Sequence, residues 1–131
     1  MSKLTKILPA FLFFLFICHV IIMADRGEES LFFDLVRAIP LGDKLGHFML
    51  YGILSFLMNR AISFRHFKKY GLSWQMGSLA VFSFALIEEL SQFYFPDRTA
   101  DVTDLLADAA GIIFFTFLSV RAFNQKKFER A

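Results

Sequence analysis

The sequence predicts an all-α integral membrane protein built as a four-helix bundle. Of its 131 residues, 56% are apolar and 19 are Phe. A water-soluble domain of this length cannot bury so many large apolar side chains, because much of its surface must face water. Four apolar windows also approach or reach the roughly 20 residues with which a helix crosses a bilayer core. We therefore expect one domain, 1–131, whose excess apolar surface faces lipid.

The four predicted spans differ in length and polarity. They cover about 7–24, 44–63, 73–95 and 104–120. The first contains no Asp, Glu, Lys or Arg, and the fourth is short enough to need its flanking turns to complete a crossing. They are joined by a loop at 25–42, a short basic turn at 64–72 and a loop at 96–103. No segment shows the alternation typical of β-strands.

Lys and Arg are distributed unequally between the two ends of these spans. Ten of the 14 lie at one end, and they are Lys3, Lys6, Arg60, Arg65, Lys68, Lys69, Arg121, Lys126, Lys127 and Arg130. Eleven of the 12 acidic residues lie at the opposite end, and Glu129 is the exception. Lys and Arg in short loops favour the cytoplasmic side. Both termini are therefore expected in the cytoplasm, with the first and third loops outside.

The first span also admits a second interpretation, as a cleaved signal peptide. Lys3 and Lys6 would form its basic region and Ile22-Met23-Ala24 its cleavage site. Ile is a poor residue at the first of those positions, and the apolar run is long for a signal. Cleavage would leave three spans and would not alter the polar residues of the others.

The loop at 25–42 contains a predicted short helix. Ser30 can cap its start, and Glu28 and Glu29 lie close to its positive end. Apolar residues then recur at helical spacing, at Leu31, Phe32, Leu35, Val36 and Ile39. Pro40 and Gly42 are expected to end the helix. An amphipathic helix in the outer membrane interface is the first interpretation, and an ordered cap resting on the bundle is the alternative.

Ionisable side chains inside the apolar spans mark the candidate functional site. Each costs roughly 3 kcal/mol in hydrocarbon by insertion scales, so such residues persist mainly where a ligand, a pathway or a partner requires them. In the second span, Asp43, His47 and Tyr51 are spaced by four residues. This spacing places them on one helical face, and Lys44 follows Asp43 directly.

The third and fourth spans carry acids at matching depths. Glu88 and Gln92 share one helical face, and Glu89 points roughly 100° away. Polar and small residues recur at intervals of three and four in and before the fourth span, at Asp101, Asp104, Asp108 and Gly111. Gly111 also allows close approach of a neighbouring helix. Together with Arg98, these side chains are expected to converge in the outer half of the bilayer.

Acids outnumber cations in this cluster. The six acids are Asp43, Glu88, Glu89, Asp101, Asp104 and Asp108. Lys44 and Arg98 supply two positive charges, and His47 supplies at most a third. A partly dry site cannot hold so many unbalanced charges. Three remedies stay open: protonation of some carboxyls, a bound cation, or a positively charged ligand.

These residues resemble the VanZ-like family, small bacterial membrane proteins named after an accessory teicoplanin-resistance protein. The matching runs are Asp43-Lys44-x-x-His47-Phe48-x-x-Tyr51, Glu88-Glu89-x-x-Gln92-x-x-x-Pro96-x-Arg98, and Asp101-x-x-Asp104 with Gly111. The resemblance covers roughly 44–120 together with Asp43. In one departure, Asp108 stands where the family pattern usually has Asn, so an acid replaces an amide donor.

The resemblance implies a multi-pass protein of the bacterial cytoplasmic membrane with a role in the cell envelope. One hypothesis is a module that binds or translocates an envelope lipid or a cell-wall precursor, with Arg98 and Lys44 holding phosphate or carboxylate. Such a protein would affect susceptibility to glycopeptides such as teicoplanin. Membrane lipids are its expected partners, and nucleic acid is not. Four short helices make a small bundle, so a homo-oligomer is an open alternative.

Two other hypotheses remain. An intramembrane hydrolase or transferase could hold a divalent metal at His47, Glu88 and Asp104, since His and carboxylate suit Zn²⁺ or Mn²⁺. Glu89 or Asp108 would then be its general base. No His-Glu-x-x-His motif supports zinc, the single Cys18 offers no thiolate site, and no Ser or Cys nucleophile adjoins His47. The last hypothesis is a non-catalytic scaffold or regulator whose polar cluster only holds helices together.

Overall fold

The computed structural model describes residues 2–131 and is mostly helical. Its α-helices are α1 (Lys3–Asp25), α2 (Leu31–Ala38), α3 (Gly42–Ala61), α4 (Met76–Ser91) and α5 (Val102–Glu129). A β-hairpin, β1 (His66–Lys69) and β2 (Leu72–Gln75), joins α3 to α4, and a 3₁₀ turn (Gln92–Tyr94) follows α4. The prediction of a helical protein is confirmed, except that the segment between α3 and α4 contains strands.

Two of the helices are long and apolar enough to cross a membrane. They are α1, with 23 residues, and α5, with 28 residues. Few of their apolar side chains are fully buried, and many of the large ones are exposed on the protein surface. α3 has 20 residues and carries Asp43, Lys44 and His47 in its first two turns, and α4 has only 16 residues.

α3 occupies the centre of the fold. It packs against α1, α2, α4 and α5, and most extensively against α5. The apolar core between these helices contains Ile17, Tyr51, Leu54, Val81, Ala85 and Ile112. α1 contributes Ile17 to this core, and Phe14 of α1 makes an edge-on ring contact with Phe84 of α4. Because α3 contacts every other α-helix, polar side chains from several elements can meet at its polar face.

Two glycines permit the close contact between α3 and α5. A Cβ atom built at Gly111 would overlap the carbonyl oxygen of Phe48, and one at Gly52 would lie 2.9 Å from the Gly111 carbonyl oxygen. The backbones therefore approach too closely for larger residues at these positions. The predicted role of Gly111 in close helix packing is confirmed.

The segment 64–72 was expected to be a simple basic turn, and this expectation is wrong. Antiparallel pairing places Lys69 opposite Leu72. The intervening Tyr70 and Gly71 have φ angles of +54° and +74°, as in the two-residue turns that match strand twist. Tyr rarely adopts a positive φ, whereas Asn and Asp do so more readily. The turn therefore lacks the usual sequence signal.

Helix ends also differ from the predicted spans. α4 begins at Met76 because the preceding residues belong to β2, and it ends at Ser91, where the 3₁₀ turn replaces the last predicted helical turn. α5 continues past Val120 to Glu129. Neither difference moves the acidic residues, since Glu88 remains in α4 and Asp104 in α5.

The helix predicted in the first loop is present as α2. The Ser30 side chain accepts a hydrogen bond from the Phe33 backbone N–H at 3.3 Å and caps its start, as expected. Leu31 and Leu35 are exposed on its surface. α2 therefore presents apolar side chains outward, beside the entrance to the polar cluster.

Candidate functional site

Lys44 connects the first turns of α3 and α5. Its ammonium donates to Asp101 Oδ2 at 3.0 Å and to Asp104, and it lies 3.6 Å from Asp43 Oδ2. Asp101 also caps α5, because its Oδ1 accepts from the Thr103 backbone N–H at 2.8 Å. Hydrogen bonds from Thr103, and then the Lys44 ammonium, lower the pKa of Asp101 to about 2. Asp101 is therefore ionised at neutral pH.

His47 lies one helical turn after Asp43 and faces three carboxylates. Its Nδ1 atom is 2.8 Å from Asp108 Oδ1. Its Nε2 atom is 3.7 Å from Asp104 Oδ2 and 3.9 Å from Asp43 Oδ1. Asp108 is fully buried, and its Oδ2 atom has no hydrogen-bond partner among residues 2–131. The imidazole thus joins α3 to α5 through Nδ1 and presents Nε2 to the two remaining acids.

Glu88 is the centre of the other half of the cluster. Its carboxylate accepts from Gln92 Nε2 at 3.0 and 3.2 Å and from Arg98 Nη2 at 3.0 Å. Tyr51 Oη lies 3.4 Å from Glu88 Oε2, and the Tyr51 ring stacks on His47 with 6.1 Å between centroids. Glu88 is only 6% exposed, so these donors replace the water that a carboxylate needs.

Arg98 bridges two carboxylates from different helices. In addition to Glu88, it donates through Nη1 to Asp25 Oδ1 at 2.7 Å, and its side chain is only 14% exposed. Sequence analysis missed Asp25 and expected Arg98 to bind an anionic ligand. Acids outnumber cations in this cluster, so the Arg98 guanidinium donates to carboxylates of the protein itself. The sequence feature that could have identified Asp25 is its position as the first acid after the apolar run of α1.

Glu89 connects the two halves. Its carboxylate accepts from the Asp101 backbone N–H and from Gln92 Nε2 at 3.2 Å. All the predicted site residues thus belong to one connected network, to which Asp25 is added. The network contains Asp25, Asp43, Lys44, His47, Tyr51, Glu88, Glu89, Gln92, Arg98, Asp101, Asp104 and Asp108. Their role in ligand binding stays a prediction.

The group of side chains suited to a metal ion differs from the predicted set in one member. Atoms of Asp43, His47 and Asp104 that can act as ligands lie within 4.8 Å of one another. Glu88, the third predicted ligand, instead contacts Arg98, Gln92 and Tyr51. α3 therefore supplies two members of the group, at positions one turn apart, and α5 supplies the third.

A cavity of about 530 Å³ opens beside the network, a size typical of small-molecule sites. Its polar lining includes Asp43, His47, Glu88, Asp97 and Arg98. Its apolar wall comes from α1 and α2 and includes Ile17, Ile21, Phe32, Phe33 and Val36. The cavity is therefore polar on one side and apolar on the other.

A second buried polar cluster, which sequence analysis missed, ties together α3, α4 and α5 near the hairpin. Asn59 Nδ2 donates to Ser78 Oγ at 2.7 Å, and the Ser78 backbone N–H donates to Asn59 Oδ1 at 3.0 Å. Ser78 Oγ also hydrogen-bonds Thr116 Oγ1. The sequence feature that could have identified this cluster is the spacing of four residues, which continues from Tyr51 to Ser55 and Asn59. These contacts stabilise helix packing at the end opposite the acidic network.

Comparison with known proteins agrees with the residue pattern and extends it. Neither the curated proteins nor the solved structures contain a match to the chain. The family model described as VanZ/LLP1 matches residues 5–123, so the similarity includes α1 and α2 as well as the polar helices. The chain therefore belongs to the VanZ/LLP1 family.

Proposed function

We propose that this protein is a multi-pass protein of the bacterial cytoplasmic membrane that binds an envelope lipid or a lipid-linked cell-wall precursor. Both termini lie in the cytoplasm in this proposal, and the cavity beside the network faces the outer leaflet. Family membership and the two long apolar helices support a membrane location. The excess of Lys and Arg at one end supports the orientation.

All four long helices cross the bilayer in this arrangement. α3 and α4 enter it with their polar faces turned toward one another and toward α5, so that lipid does not contact those charges. α2 lies in the outer interface, where its exposed Leu31 and Leu35 contact lipid. The 3₁₀ turn after α4 lengthens that short helix at its outer end.

The two-sided cavity is the observation that carries the proposal. A head group can contact the charged side chains at one side while its attached chains lie against α1 and α2. Three hypotheses were drawn from the sequence, and the lipid-binding module is the one that uses both sides of the cavity. A polar cluster that served only to hold helices together would not need the apolar wall.

The charge of the lining favours a head group that carries an ammonium. The acids that line the cavity are Glu28, Glu29, Asp43, Glu88 and Asp97. The guanidinium of Arg98 is already bound by Asp25 and Glu88, and Lys44 is bound by acids of α3 and α5. Neither cation is therefore free to hold a phosphate alone. An ammonium is complementary to this lining, whereas a purely anionic head group is not.

Lipid binding tests the proposal directly. The full chain, purified in detergent, is incubated with phosphatidylethanolamine, which carries an ammonium, or with phosphatidylglycerol, which does not. Retained lipid is quantified by native mass spectrometry. We expect preferential retention of phosphatidylethanolamine. Glu88→Gln should weaken it, because the change removes one negative charge from the cavity lining and leaves the Arg98 guanidinium paired with Asp25 alone of its two carboxylates.

Glu129→Gln is the matched control, since it makes the same chemical change at an exposed position near the end of α5. It should retain lipid as the wild type does. The proposal would be contradicted if the wild-type protein retained the two lipids equally and Glu88→Gln did the same. In cells, the corresponding measurement is susceptibility to teicoplanin in a strain that depends on this protein.

A further inference from the structure

We propose that Asp43, His47 and Asp104 bind a divalent first-row transition metal ion, with Zn²⁺ as the first candidate. His47 Nε2 lies 3.7 Å from Asp104 Oδ2 and 3.9 Å from Asp43 Oδ1. These separations are too long for hydrogen bonds. Two atoms that share one tetrahedral Zn²⁺ lie about 3.4 Å apart, because each zinc bond is about 2.0–2.2 Å long. Small rotations of the two carboxylates would bring their oxygens from the observed separations to that spacing.

The surroundings of His47 are those of a histidine that binds a metal. Such a residue usually donates its other ring N–H to a carboxylate, which holds the imidazole in one orientation. His47 Nδ1 lies 2.8 Å from Asp108 Oδ1, which leaves Nε2 available as a ligand. Asp108 is also fully buried, and its second oxygen has no hydrogen-bond partner among residues 2–131. A buried carboxylate needs a proton or a positive charge beside it, and an imidazole whose Nε2 binds a dication supplies positive charge to Asp108 through its Nδ1–H.

Lys44 does not occupy the atoms that would bind the ion. Its ammonium contacts Asp104 Oδ1 and lies nearest to Asp43 Oδ2. The other oxygen of each carboxylate faces His47 Nε2. Each acid therefore presents one oxygen to the ammonium and one to the imidazole, so Lys44 and a metal ion can be bound together.

The local charge balance also accommodates a dication. Lys44 is in contact with Asp43, Asp101 and Asp104, and Asp108 adds a fourth carboxylate through His47. Lys44 and His47 together supply at most two positive charges against these four carboxylates, so negative charge stays in excess in a partly buried place. A bound ion of charge +2 reduces that excess, which is the second of the remedies that the sequence allows.

The ligand types favour zinc over calcium and magnesium. Imidazole suits first-row transition metals, whereas Ca²⁺ and Mg²⁺ prefer oxygen ligands alone. The exposed Asp43 can rotate to complete the site, since its side chain is 69% exposed. Metal binding requires only these side chains, so it does not depend on which lipid enters the cavity.

The test is metal titration of the full chain, purified in detergent and treated with a chelator. Co²⁺ is added and followed by its visible absorption, and Zn²⁺ is then added to displace it. We expect one Co²⁺ bound per chain and displaced by Zn²⁺, with Ca²⁺ and Mg²⁺ ineffective. His47→Gln and Asp43→Asn should each weaken binding at least about tenfold, because the first removes the imidazole nitrogen and the second replaces an anionic carboxylate ligand by a neutral amide.

Glu88→Gln is the control for a buried acid in the same network, and it should bind Co²⁺ as the wild type does. Because Asp43 is exposed, Asp43→Asn keeps the test valid if His47→Gln fails to fold. Wild-type protein that binds no Co²⁺ or Zn²⁺ would overturn the proposal. Binding that neither Asp43→Asn nor a folded His47→Gln weakens would overturn it as well. A failure of lipid retention with intact Co²⁺ binding would contradict only the proposed function.

Discussion

Arg98 and Asp25 are joined by a hydrogen bond of 2.7 Å, although 73 residues separate them in the chain. Asp25 is the last residue of α1, and Arg98 lies in the segment between α4 and α5. Through Arg98, the end of α1 is also linked to Glu88 in α4. The C-terminal end of α1 is therefore anchored by charge, whereas its middle packs through apolar side chains such as Ile17.

Asp25→Asn should weaken this anchor. Arg98 would keep Glu88 as a partner but lose the second carboxylate of its fork. We expect the free energy of unfolding to fall by about 1–3 kcal/mol, as for a partly buried charged hydrogen bond. The measurement is the thermal unfolding midpoint in detergent. Asp34→Asn is the control, because its ion pair with Arg37 is exposed and contributes little. Equal midpoints for the two variants would show that the anchor is unimportant.

Arg98→Lys should impair function while the protein remains inserted. A lysine ammonium lacks the planar fork with which Arg98 contacts Asp25 and Glu88 together. The measurement is teicoplanin susceptibility at matched membrane levels in a strain that depends on the protein. Arg26→Lys is the control, since the ion pair of Arg26 with Glu28, at 3.7 Å, is exposed. Wild-type susceptibility in Arg98→Lys would mean that the bidentate geometry is not required.

Gly111→Ala should separate α3 from α5. The added Cβ would overlap the carbonyl oxygen of Phe48, and backbone atoms cannot rotate away as a side chain can. We expect a loss of roughly 1–3 kcal/mol, typical of overpacking. Gly46→Ala is the matched control in α3, because its Cβ meets no atom within 4 Å. It should be neutral or stabilising by about 0.5–1 kcal/mol, since Ala favours helix over Gly. Unfolding midpoints in the opposite order would contradict the packing argument.

The orientation of the chain in the membrane is also testable. A reporter fused after Arg130 should report the cytoplasm, because ten of the 14 Lys and Arg residues lie at that end of the spans. A second reporter, inserted between Tyr70 and Gly71 of the hairpin, should give the same answer. Activity characteristic of the external side at both positions would reverse the proposed topology.

The sequence by itself determined the helices and the polar faces of α3, α4 and α5. Asp43, His47 and Tyr51 share a face of α3 because helical geometry places residues four apart on the same side. The same local rule identified Gly111 as a close-packing position and Ser30 as the cap of α2. These features depend on neighbours within a few residues, so the pattern of one segment is enough to predict them.

Only the tertiary structure decided which side chains meet. Asp25 reaches Arg98, and Asp43 rather than Glu88 lies with His47 and Asp104. The strands of the hairpin became evident only from their pairing, because the Tyr70-Gly71 turn has no strong sequence signal. The partner of a helical side chain depends on the rotation and the axial position of one helix against another. Those quantities are set by packing over the whole bundle, including the close contact at Gly111, and residue spacing within a single helix does not contain them.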